Sequence, residues 1–146
     1  MAIFTAFDIS GSGMSAQRLR SDIISQNLAN VNSTSSQNGK AYRRKTVVFA
    51  EKDATAFSDI LLSTAGNVGS GVKVTKVIED YETPMNKVYD PAHPDADENG
   101  YVTYPNVNVV TEMTNLIDAS RSYEANVTAF NASKNMELKA LDIGKN

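Results

Sequence analysis

Cysteine and tryptophan are absent from this 146-residue chain, histidine occurs once and proline four times. Without Cys there is no disulfide, no zinc–thiolate site and no cysteine nucleophile, though the absence does not fix the compartment. The one histidine, His93, stands between Ala92 and Pro94 with no marked nucleophile nearby. Alone it cannot complete a catalytic triad or a histidine-rich metal site, and it reads as structural. Phosphate-binding glycine loops, H-E-x-x-H and nucleophile-elbow motifs are also missing. The expectation is no enzyme, no cofactor and no small-molecule substrate.

Long hydrophobic runs are lacking too; no stretch approaches the roughly 18–20 apolar residues of a membrane span. Met1 to Asp8 has neither a basic n-region nor a long apolar core, so it does not read as a cleavable secretion signal. The chain is expected to be soluble, staying in the cytoplasm or leaving by a route that reads no cleaved leader. Basic excess is absent as well: 14 Lys and Arg against 17 Asp and Glu give a net charge of -3, which argues against non-specific nucleic-acid binding.

What is present is helical periodicity at both ends. In the register Val109, Met113, Leu116, Ser120, Tyr123, Val127, Phe130, Lys134, Glu137, Leu141, steps alternate four and three and seven of ten positions are apolar. That is the seam of a coiled coil. It decays at Lys134 and Glu137. Asn106 or Asn108 can cap the start, Glu112 suits the first turn and Gly144 can close the end. A globular helix averages about 11–12 residues; this one is about three times longer and requires a long partner.

Residues 3 to 31 supply it. The register Ile3, Phe7, Ser10, Met14, Gln17, Ser21, Ile24, Leu28, Val31 repeats the same steps, widened by Ala16, Leu19 and Ile23. Ser10-Gly11-Ser12-Gly13 leaves two readings open. Each glycine costs about 1 kcal/mol relative to alanine inside a helix, which favours a break; small residues also let neighbouring backbones approach. The expected fold class is α+β. Long terminal helices pair as an antiparallel coiled coil (1–36 and 106–146), with a β-rich insert at 37–105 that contains a flexible loop, 54–71. Since one two-helix contact leaves apolar faces over, the helices are expected to fold fully only against other subunits.

Within the insert, Tyr42–Glu51 is β-prone with three basic residues, Arg43, Arg44 and Lys45, expected to be a solvated strand end. Val72–Ile78, running on to Tyr81, and Met85–Tyr89 read as further strands. Asp90–Pro105 reads as a turn-rich loop in which Gly100 takes a positive φ. It opens like a calcium loop, Asp95-x-Asp97-x-Asn99-Gly100, but Asn106 stands where the bidentate Glu belongs, so no metal is expected.

Ser25-Gln26-Asn27-Leu28-Ala29-Asn30-Val31-Asn32 is similar to the N-terminal signature of the flagellar axial proteins (rod, hook and hook-associated subunits). Ser120-Arg121-Ser122-Tyr123-Glu124-Ala125-Asn126-Val127 resembles their C-terminal signature. Tyr42-Arg43, Val47-Val48-Phe49 and the run from Tyr89-Asp90-Pro91 through Gly100-Tyr101-Val102 to Pro105-Asn106-Val107 resemble the proximal-rod subunits among them. The resemblance implies a structural subunit of the basal-body rod. It would be exported without a cleaved signal through the flagellar type III apparatus and assembled in the periplasm. Its partners would be its own copies, other rod proteins, the membrane ring and that ring's adaptor, with no nucleic acid. Helical packing would then carry motor torque. On this reading Phe7, Met14, Ile24, Leu28, Met113, Leu116, Tyr123, Val127, Phe130 and Leu141 pack subunits. Gln26, Asn27, Asn30, Arg121 and Asn126 make the polar contacts that fix register. Two other readings remain: a cytoplasmic coiled-coil adaptor, separated by its location, and a calcium module, separated by calorimetry.

Overall fold

A computed structural model describes residues 2–35, 40–52 and 69–144. The Asn38-Gly39 turn and most of the expected flexible loop, 54–68, lie outside the described residues. Helix α1 spans Ala2–Ala29 and helix α2 spans Val109–Ile143. Between them come β1 (Lys45–Glu51), β2 (Val72–Glu79), β3 (Asn86–Tyr89) and β4 (Tyr101–Tyr104). They form two antiparallel two-stranded sheets, β1–β2 and β3–β4. The expected plan of two long helices around a small β-rich insert is therefore present.

Contacts group the chain into two units. One comprises Met1–Leu19, Val48–Lys76 and Ala119–Asn146; the other comprises Arg20–Val47 and Val77–Asp118. In the first, the halves of α1 and α2 run antiparallel. Phe7 and Phe130 meet edge to face at 4.8 Å between ring centres, and Ala16 and Ala119 are buried. Helix α1 does not break at its glycines. A Cβ on Gly13 would stand 2.8 Å from Asn126 Oδ1, whereas one on Gly11 would meet nothing within 4 Å. Gly13 is a close-contact position and Gly11 is not. The sheet end reaches α1 through Ser12, whose Oγ donates to the Ile9 carbonyl (2.8 Å) and accepts from the Val72 amide (3.1 Å). Gly71, at φ 103, makes the turn into β2.

In the second unit, Ile24, Val102, Pro105 and Val107 are buried. Here β4 corrects the expectation that everything from Asp90 to Pro105 is loop. Tyr101-Val102-Thr103-Tyr104 is β-prone, and once a turn reverses the chain it pairs Tyr89 with Tyr101 and Val88 with Val102. Asp97 makes that turn: its Oδ1 accepts from the amides of Asn99 and Tyr101, both at 2.9 Å. Gly100 takes φ 79, as expected. His93 holds the approach, Nδ1 accepting from the Asp95 amide at 3.1 Å. Helix α2 starts at Val109, behind the second of its two candidate caps. Asn108 is its cap, accepting from the Thr111 amide (3.1 Å), and Asn106 is used elsewhere. Gly144 is not left-handed; its amide still donates to the Ala140 carbonyl.

The face α2 turns inward differs from the expected seam. Buried or half-buried positions run Glu112, Asn115, Leu116, Ala119, Ser122, Asn126, Val127, Phe130, Ser133, Glu137. That face is largely small and polar. Val109, Val110, Met113, Ile117 and Tyr123 stay exposed.

Candidate functional site: a polar clasp between helices and insert

The second unit is fastened by side chains from α1, β1, α2 and the connections between them. Asn27, in the last turn of α1, is 0% exposed. Its amide nitrogen donates to the Lys45 carbonyl (2.9 Å) and to Glu112 Oε2 (2.8 Å). Its oxygen accepts from the Lys45 amide (2.9 Å) and the Tyr42 hydroxyl (2.8 Å). A carboxamide offers two donors and two acceptor lone pairs; all four are used within the chain.

Glu112 is likewise 0% exposed, in the first turns of α2. Burying a carboxylate costs far more than burying a methyl group unless it is paired and hydrogen-bonded. Arg44 supplies the pair: Nε (2.9 Å) and Nη2 (2.8 Å) both reach Glu112 Oε1. Arg44 Nη1 donates to Thr46 Oγ1 at 3.2 Å and lies 3.9 Å from Asp80. The basic head of β1 is therefore not simply a solvated strand end. Arg44 neutralises the buried acid. Arg43 donates to the Asp80 carbonyl (3.2 Å) and lies over the Tyr81 ring at 4.5 Å.

Asn106 closes the clasp from the other side. Its oxygen accepts from the Arg44 amide (2.9 Å), and its nitrogen donates to the carbonyls of Asp80 (3.0 Å) and Thr83 (3.1 Å). The Asp80 carboxyl is held below its ordinary range, first by the Thr83 amide and then by the Thr83 hydroxyl. Burial, and then the nearby charges of Glu79 and Glu112, push the Tyr42 phenol upward, keeping it protonated as the donor Asn27 needs. Both oxygens of Glu112 are committed, so this arrangement fixes geometry and leaves no free general base at its centre. Among the described residues no group of three His, Cys, Asp or Glu side chains is placed to hold a metal ion.

Of the residues expected to pack subunits, Ile24 is buried, and Phe7, Met14, Leu28, Leu116, Val127 and Phe130 are half-buried. Met113, Tyr123 and Leu141 are exposed. Among the polar set, Asn27 is consumed by the clasp, and Gln26 and Arg121 face outward. Asn30 donates to the Gln26 carbonyl and accepts from Ser33; Asn126 donates to the Ser122 carbonyl. Sequence reasoning missed Tyr42, Arg44, Asn106 and Glu112 as one set. The available signal was Glu112 itself, a carboxylate four residues before Leu116 and seven before Ala119, on the inward face.

Residues 7–35 match the family model described as flagella basal body rod protein, and residues 98–143 match that of the flagellar basal body rod FlgEFG protein C-terminal region. The flagellar basal-body rod protein FlgC of Bacillus subtilis is 49% identical, over 99% of this chain and 100% of the relative. That of Salmonella typhimurium is 45% identical, with 99% and 100% covered. That of Borreliella burgdorferi is 41% identical, with 98% of each covered. This chain belongs to the FlgC family of flagellar basal-body rod proteins and is a structural rod subunit.

Proposed function

We propose that the chain builds the proximal section of the rod by packing its long helices against those of neighbouring copies and of other rod proteins. The observation that carries this reading is the near full-length correspondence with rod proteins, both terminal signatures included. The exposed apolar side chains of α2 support it, since Val110 is 74% and Ile117 54% exposed in the single chain. Such a surface on a helix signals a partner. Equivalent copies joined by unlike faces grow as a helix rather than closing as a dimer. Torque then passes from helix to helix, and the clasp keeps the insert from shearing off the helices that bear it.

On the same reading the subunit leaves the cytoplasm through the flagellar export apparatus without losing a leader. It is laid down in the periplasm on the membrane ring and its adaptor, and its role is mechanical. Mass spectrometry of purified basal bodies tests this, with the chain expected in rod-bearing particles; abundance in the cytosol and absence from those particles would overturn it. Met113, Tyr123 and Leu141, already exposed, are the packing residues least needed by the isolated fold. Tyr123→Asp is expected to leave the chain expressed and folded but missing from basal bodies, with motility lost. Normal motility would remove Tyr123 from the packing face.

A further inference from the structure

We propose that the groove beside the clasp receives the exposed apolar stripe of α2 from a second copy of this chain. The inference rests on the rod-subunit reading and says which face meets which. The groove has a volume of about 240 Å³, and Ile23, Ile24 and Val47 line it together with the cations Arg20 and Lys45. An apolar cavity of about 150 Å³ holds a benzene ring, so this groove has room for an isoleucine or methionine side chain. Arg44 and Glu112 also reach its wall but neutralise each other at 2.8 Å. Arg20 and Lys45 have no carboxylate partner among the described residues. The groove therefore asks for an apolar ridge with acidic company.

The stripe Val110, Met113, Ile117 fits that requirement, being 74%, 54% and 54% exposed. Glu124 follows Ile117 by seven residues on the same face and is exposed; with Asp118 and Arg121 on the flank, carboxylates outnumber cations by one. The other exposed apolar stretch, around Leu138 and Leu141, carries Lys134 and Lys139 against Glu137 and Asp142 and so brings no acidic excess to a cationic groove. Glu112 and Asn115, which line the groove, lie about 100–160° around α2 from Met113 and Ile117, by the 3.6-residue repeat. A copy that offers its stripe to one neighbour thus keeps its groove free for another. Contacts of this kind join unlike faces, which build a ring where the rotation closes and an open helical array where it does not.

The test uses the chain's lack of cysteine. Chains carrying Ile117→Cys and Ile23→Cys are co-expressed, basal bodies are purified and thiols are oxidised. The expected result is a disulfide-linked dimer that needs both variants, at least about tenfold above either alone. Incorporation of both chains without that dimer, or dimers of Ile117→Cys with itself, overturns the proposal while leaving the rod reading intact. Absence of the unmutated chain from basal bodies overturns both. As a second measurement, Arg20→Glu and Glu124→Arg are each expected to lower incorporation about threefold, the scale of an exposed ion pair, and to restore it when combined. Failure of the pair to restore it overturns the proposal even where the cysteine variants do not incorporate.

Discussion

Arg44 and Glu112 decide whether the insert stays on the helices. Glu112 is enclosed while the Arg44 side chain keeps some contact with water, 1% against 26% exposed. Removing the arginine therefore leaves a buried carboxylate without its cation, a change that typically costs about 3–5 kcal/mol. Arg44→Met is expected to lower the urea midpoint sharply. Adding Glu112→Gln should recover much of that loss, because a neutral amide can still accept from Asn27 and no longer buries a charge. Glu112→Gln alone turns amide hydrogens toward the guanidinium and is expected to destabilise as well. A double-mutant cycle in which the two effects simply add would show that the residues do not act as one unit. Asn27→Asp belongs to the same test. It is nearly isosteric, yet it cannot donate to Glu112 or to the Lys45 carbonyl, so it should destabilise despite its shape.

At the scale of the element, α1 carries two glycines that look alike in sequence and differ in surroundings. Gly11→Ala adds a methyl group to open space and should stabilise by up to about 1 kcal/mol through helix propensity. Gly13→Ala drives its Cβ against Asn126, whose amide is tied to the Ser122 carbonyl at 2.8 Å, and should lose stability despite the same propensity gain. Combining Gly13→Ala with Asn126→Ala should relieve the contact. Thermal unfolding of the three variants checks this, and equal effects at positions 11 and 13 would sink the close-packing reading. Sequence periodicity located both helices and left the Ser10–Gly13 question open, because propensity cannot see a side chain arriving from another helix. It also placed the apolar register on the seam within the chain. The structure turns a more polar face inward there, Glu112, Asn115, Ser122 and Asn126 among it, and leaves Met113 and Ile117 outside. An apolar stripe says that something will cover it, not that its own chain will. The strand β4 was hidden because four residues between turns carry little alternation, and Asn106 looked like a helix cap because its bonds to Arg44, Asp80 and Thr83 are distant in sequence. Within the clasp, Asn27 was legible only through the signature it belongs to.

For the molecule as a whole, the interactions are unevenly distributed. The second unit has a buried acid, a fully satisfied Asn27 and a small apolar core. The last turns of α2 differ: from Lys134 to Gly144 every residue except Glu137 is exposed. A helical segment of that length without a packed face is marginal in water, since isolated helices shorter than about 12–15 residues gain too little from their hydrogen bonds to hold. Hydrogen exchange should therefore grade along the chain in dilute solution. The amides of Asn27, Lys45 and Glu112 should open only with global unfolding, and those beyond Ser133 should exchange many times faster. In assembled rods the slow zone should extend toward Ile143, because the exposed Met136, Leu138 and Leu141 gain partners there. Protection that is uniform along α2 in the dilute chain would mean that α2 is complete before assembly. Protection beyond Ser133 that stays low in rods would mean that those turns take no part in subunit contacts. The graded outcome assigns the two tasks to different places: the clasp presets the shape of the subunit, and the end of α2 completes its order only when a neighbour arrives.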